Sequence, residues 1–177
     1  MPRIPFTRLA IVAASIVAFG GIALAAQDRY SLSVPGGGLR FAEFRGYDTW
    51  QPVAVSQVSD GLKVISANPV MIAAFRRGLP ADGQSFPDGS KIVKIEWAPK
   101  QNTQPYVVAV PGALMSVSFI EKDLKRFPQT HGWAYAQFLY DPATQTFKPN
   151  GTGAECGYAC HTGVAAKDYI FTAYPPR

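Results

Sequence analysis

Phe86-Pro87-Asp88-Gly89-Ser90-Lys91-Ile92-Val93-Lys94-Ile95-Glu96-Trp97 is the stretch that decides the fold of this chain. Its first four residues are a turn signal, with Pro and Gly punctuating the backbone. From Ser90 the side chains alternate. Val93, Ile95 and Trp97 point to one side; Ile92, Lys94 and Glu96 point to the other. A period of two is a strand, here with charged residues on one of its two faces.

Reading outward, Gly61 to Ser66 is a second strand, followed at once by a helix start. Asn68 caps it, and Pro69 fits the first turn, where a missing N–H costs nothing. The helix runs from Val70 to Arg77 and stops at Gly78. Downstream, Tyr106 to Val110 is apolar and β-branched until Pro111-Gly112 breaks it. Leu114 to Ile120 is the next strand, Gly132 to Tyr140 another, and Tyr169 to Tyr174 a candidate for the last. The sum predicts an α+β fold, a mostly antiparallel sheet with one or two packed helices in a single domain. Sixteen Gly and 15 Pro in 177 residues exclude a simple helical bundle.

Residues 1–25 have the pattern of a cleaved export signal: Arg3 and Arg8, an apolar run from Leu9 to Ala25, and an Ala23-Leu24-Ala25 cleavage site. An uncleaved anchor is the alternative, at the short limit for a membrane span. Residues 26–40, with Pro35-Gly36-Gly37-Gly38, are expected as a flexible lead-in, and 41–177 as the domain. Loss of Arg3 and Arg8 lowers the formal net charge from +5 to +3. No run of Lys or Arg is dense enough for nucleic acid.

The chemistry is concentrated near the carboxyl end. Cys156-Gly157-Tyr158-Ala159-Cys160-His161 contains both cysteines and one of the two histidines. Two thiols with an adjacent imidazole is the arrangement that holds a c-type haem, by thioether bonds and a ring nitrogen on iron. The usual spacing has two residues between the cysteines; here there are three. Two thioethers, one, or a Cys156–Cys160 disulfide in a haem-free exported domain are the alternatives. Zinc is disfavoured, because only His131 and carboxylates remain to complete four ligands. Of the 16 residues after His161 none is Met, His or Cys. Met71 and Met115 read as core filler and His131 as a surface turn residue, so the predicted iron is five-coordinate, with one axial position open.

Several blocks resemble the cytochrome P-460 family, which includes the β-type cytochromes c′. They are Ile65-Ser66-Ala67-Asn68-Pro69, the stretch from Phe86 to Lys94, Lys122-Asp123-Leu124-Lys125-Arg126-Phe127 with Gly132-Trp133-Ala134-Tyr135, and Glu155-Cys156 through Thr162, continuing over Lys167-Asp168-Tyr169-Ile170-Phe171-Thr172. The resemblance implies a β-rich homodimer in the periplasm with one haem c per chain, held through Cys156, Cys160 and His161. Members named for the P-460 chromophore bond a lysine nitrogen to the porphyrin rim and oxidise hydroxylamine; relatives without that bond bind nitric oxide or other diatomic gases. By alignment the cross-linking lysine corresponds to Lys94. On strand geometry Lys94 shares its face with Glu96, a candidate proton acceptor, and an ordinary solvated ion pair is the alternative. A c-type cytochrome is the expected electron acceptor. Phe119, Tyr135 and Phe138 are candidates for a crowded wall on the open side of the haem, or for ordinary core.

Overall fold

The computed structural model describes residues 26–176 except Asp82, Gln104 and Cys156. The export-signal reading and the first cysteine therefore lie outside the described residues. Among the described residues the strands are β1 (Gln51–Val58), β2 (Gly61–Ala67), β3 (Lys91–Asn102), β4 (Val108–Lys122), β5 (Trp133–Asp141) and β6 (Thr146–Asn150). They form one antiparallel sheet in sequence order, each strand paired with its chain neighbour. Two helices accompany it, α1 (Pro69–Arg76) and the short α2 (Tyr158–His161).

Both faces of the sheet are covered, by different parts of the chain. On one face Val93, Val117, Phe119 and Phe138 pack under Phe41, Phe44 and Tyr47 from the segment before β1. Phe44 stacks on Phe119 at 4.1 Å, and Phe41 meets Phe119 and Phe138 at 5.0 and 4.9 Å. Each large side chain so buried contributes roughly 1.5–3 kcal/mol. On the other face Ile92, Trp133 and Tyr135 pack under Met71, Ile72 and Phe75 of α1 and Ile170 near the carboxyl end. The strict alternation of β3 makes this division: Val93 belongs to the first core and Ile92 to the second.

Asn68 begins α1 as expected. Its Oδ1 accepts from the backbone N–H of Met71 (3.1 Å) and of Lys91 (3.0 Å), and its amide donates to the Gly89 carbonyl at 2.8 Å. One side chain thus caps the helix and fixes it to the first residue of β3.

Four features differ from the sequence expectation. First, β4 is continuous through Pro111-Gly112. Beyond Trp97 on β3 and before Ser116 on β4 the two strands have no other sheet neighbour, so that part of the hairpin is a free ribbon. Pro111 faces Pro99 there, and neither missing N–H interrupts a ladder to a third strand. Second, β1 and β6 were not anticipated. Third, Tyr169 to Tyr174 forms no strand: Asp168 and Tyr169 have φ of +47° and +63°, which turns the chain away from sheet geometry. Fourth, part of 26–40 is core. Ser33 pairs with Arg40, and Val34 and Leu39 are 2% and 0% exposed.

Candidate functional site

The second face of the sheet is incompletely covered. Between the strands and the carboxyl-terminal strap (157–174) it leaves a cavity of about 780 Å³, within the usual range for small-molecule and cofactor sites. Residues of five strands line it: Ala54 and Ser56, Lys63 and Ile65, Ile92 and Lys94, Ser118 and Ile120, Tyr135 and Gln137, with the intervening Phe119 and Ala136 also at its edge. The strap supplies Gly157, Cys160, His161 and Ile170 to Ala173. His161, Cys160 and Lys94, more than sixty residues apart in sequence, thus share one cavity.

His161 is held as a metal ligand needs to be. Its Nδ1 lies 2.6 Å from the main-chain carbonyl of Tyr169. A carbonyl only accepts, so Nδ1 carries the proton and Nε2 keeps the free lone pair. The ring sits 4.7 Å from that of Tyr135 and 4.9 Å, edge-on, from that of Phe171. Burial holds its pKa below the usual value, with the positive charge of Lys94 adding to the shift and the Tyr169 carbonyl opposing it. Neutral imidazole, the ligating form, is favoured.

The strap is pinned by a buried ion pair. Lys122 Nζ lies 2.9 Å from Asp168 Oδ1, with both side chains under one-tenth exposed. Asp168 also accepts from the Trp133 indole N–H (3.2 Å) and the Phe86 backbone N–H (2.8 Å). Four segments converge on this one carboxylate, beside the residue whose carbonyl orients His161. Sequence reading passed over it, because its partners are brought together only by the tertiary fold.

On β3, Lys94 and Glu96 share a face as expected, with Lys94 Nζ 3.8 Å from Glu96 Oε2. Lys63, which the sequence reading did not single out, is closer: its Nζ is 3.2 Å from Glu96 Oε1. Glu96 itself is not part of the cavity wall. Of the two readings of the aromatics, ordinary core holds for Phe119 and Phe138. Phe119 and Phe138 point their rings into the opposite core, where both are 0% exposed. Tyr135 does face the cavity, but its ring is against His161, on the side of the iron ligand. Met71 is fully buried core, Met115 is exposed, and His131 is exposed and stacks on Tyr169 at 5.0 Å. Among the described residues the cavity wall therefore holds one imidazole and no methionine.

A comparison with protein-family models matches cytochrome P460 over residues 44–172. The chain belongs to the cytochrome P460 family. A comparison with curated proteins gives no match. Membership of the P460 family makes this a haem protein, and the residues present fit that group. An oriented, neutral imidazole, an exposed thiol one residue before it and a largely apolar cavity all lie on one face.

The P460 match includes the cysteine loop, whose fit depends on Gly157. A Cβ placed there would lie 2.8 Å from Tyr135 Cδ1 and 2.9 Å from Cγ, closer than carbon atoms approach. Gly157→Ala is expected to cost ~1–3 kcal/mol by overpacking against that ring. It should also lower the fraction of protein carrying haem. Thermal melting and the haem-to-protein absorbance ratio measure the two effects.

Proposed function

We propose that this protein is an exported haem c enzyme that oxidises hydroxylamine with a lysine-bonded porphyrin and passes the electrons to a c-type cytochrome. The observation that carries the reading is the convergence of His161, Cys160 and Lys94 on one cavity. Cys156 and Cys160 anchor the porphyrin, Lys94 bonds its rim, and the protein works as a periplasmic homodimer. When bound, the haem supplies the iron that accepts electrons from the substrate nitrogen.

The chain's own residues have separable tasks. His161 offers Nε2 to the metal, and the Tyr169 carbonyl increases the electron density on that ring by accepting the Nδ1 proton's hydrogen bond. Ile65, Ile92 and Ile120 exclude water from the apolar part of the cavity. With no second histidine or methionine in its described wall, the opposite side is left for the substrate nitrogen. Glu96, outside the cavity wall, pairs with both lysines and tunes their charge.

Ferrous absorption of the matured protein tests this reading. The wild type should have a strongly red-shifted Soret band and intact mass should include one haem. Lys94→Ala should lose the shift and keep the haem. An unchanged band in Lys94→Ala would remove Lys94 from the proposal.

A second reading has its own support. Lys94 is about one-third exposed and sits 3.8 Å from a carboxylate, as an ordinary ion-paired lysine does. Without the cross-link the protein would capture nitric oxide or another diatomic gas, and its spectrum would be that of ordinary haem c.

A further inference from the structure

Two ammonium groups and one carboxylate meet at the β2–β3 side of the cavity. Lys63 and Lys94 both line it, and Glu96 pairs with both, at 3.2 and 3.8 Å. No Asp or Glu is part of the described wall. The other ionisable wall residues are Cys160, His161 and Tyr135, none of them an anion partner while Cys160 is bonded as a thioether. The side chains of Lys63, Lys94 and Glu96 are 21%, 36% and 15% exposed, so solvent only partly screens the surplus positive charge. A partly buried charge without a partner is costly. The cavity therefore calls for an anion from its occupant.

We propose that Lys63 binds a carboxylate of the porphyrin, a role distinct from that of Lys94. The proposal rests on haem occupying this cavity but not on the Lys94 bond. The thiols of the strap take the vinyl-bearing edge of the porphyrin, and its propionates are the negative groups that remain. If Lys94 is spent on a bond to the rim, Lys63 is the remaining ammonium of the wall; Glu96, off the wall, takes one of its three donors and the others are left for the cavity's occupant. If Lys94 is not bonded, Glu96 still balances only one of the two. In either case Lys63 fixes the porphyrin's rotation in the cavity by a charge-assisted hydrogen bond.

No local pattern in β2 marks Lys63, because its partner sits on the neighbouring strand. Lys63 lies directly across from Glu96 in the β2–β3 pairing, which puts it on the same side of the sheet.

Carbodiimide treatment of the matured holoprotein tests the contact. The reagent activates carboxylates, and an amine already in contact with one forms an amide with loss of water. Peptide mapping should then find the Lys63 peptide joined to the haem-bearing peptide of Cys156–Cys160. Lys63→Gln should lose that product. It should also have a lower midpoint potential, because a positive charge next to the porphyrin is gone; Lys63→Arg should keep the wild-type potential. The untreated sample maps any Lys94 bond separately, so failure of the cross-link reading and failure of this one give different peptides. Lys63 joined only to Glu96 overturns the proposal. So does acetylation of Lys63 when labelled acetate is included, which would assign the site to a free anion. A midpoint potential unchanged in Lys63→Gln overturns it as well.

Discussion

Asp168→Ala should destabilise the protein by ~3–5 kcal/mol, the usual cost of removing one member of a buried ion pair. Against a total of ~5–15 kcal/mol for a domain, that removes a large share of its stability. The loss has three parts. The Lys122 ammonium stays buried over the Trp133 ring, 4.8 Å from its centre, with its counter-charge gone. The Trp133 indole N–H and the Phe86 backbone N–H lose the same acceptor. The strap also loses its anchor beside Tyr169, whose carbonyl orients His161. Urea unfolding measures the first two effects, and the spectrum of the haem-loaded variant reports the third. Lys122→Met combined with Asp168→Leu should recover part of the loss, because no charge is then stranded. A midpoint within experimental error of wild type in Asp168→Ala would show that the pair does not hold the strap.

His161→Gly should have the largest functional effect. On the proposed function the thiols still bond the porphyrin, so haem content by mass should be retained while the proposed axial imidazole is lost. Turnover should fall by more than the ~10–100-fold that follows loss of an outer hydrogen-bond partner, since here the ligand itself is removed. The vacated volume is bounded by the rings of Tyr135 and Phe171, about 5 Å from the original imidazole on each side. Free imidazole should enter it and restore the wild-type spectrum in a saturable way. If the variant's spectrum already matches wild type without imidazole, His161 is not the ligand.

The strands that sequence reading recovered were those in which burial and polarity alternate cleanly. Ile92 and Val93 lie on opposite faces, and that parity placed Lys94 correctly on the cavity side. The Asn68 cap was legible because its partners are local, three residues on and at the start of the next strand. β1 was not, because Val55 and Val58 on this edge strand are 70% and 43% exposed, and the register shifts between Pro52 and Ala54. β6 is five residues long with Pro149 inside it, a pattern that reads as loop. The apolar run after Tyr169 has strand composition, yet it serves as a cover. Ile170 and Phe171 face the cavity, and Tyr174 stacks on Phe75 at 5.5 Å.

The site was legible where chemistry is written in neighbouring residues, as in Cys160-His161. It was hidden where the fold brings distant residues together. Phe119 and Phe138 read equally as haem wall or as core from residue type, and strand parity decides for the opposite core. Lys63 and Asp168 gained their roles from partners 33 and 46 residues away in Glu96 and Lys122, and no local pattern announces such pairs.

The meander topology has a consequence for how the molecule is put together. Each strand pairs with the one just synthesised before or after it, so the sheet can assemble hairpin by hairpin from short-range contacts. Among the described residues the carboxyl-terminal strap joins no ladder, and the Asp168 carboxylate anchors it to Lys122 and to the Phe86 backbone. The six-strand platform can therefore form before the strap that carries Cys160 and His161 docks on it, with the Asp168 clamp closing after the hairpins.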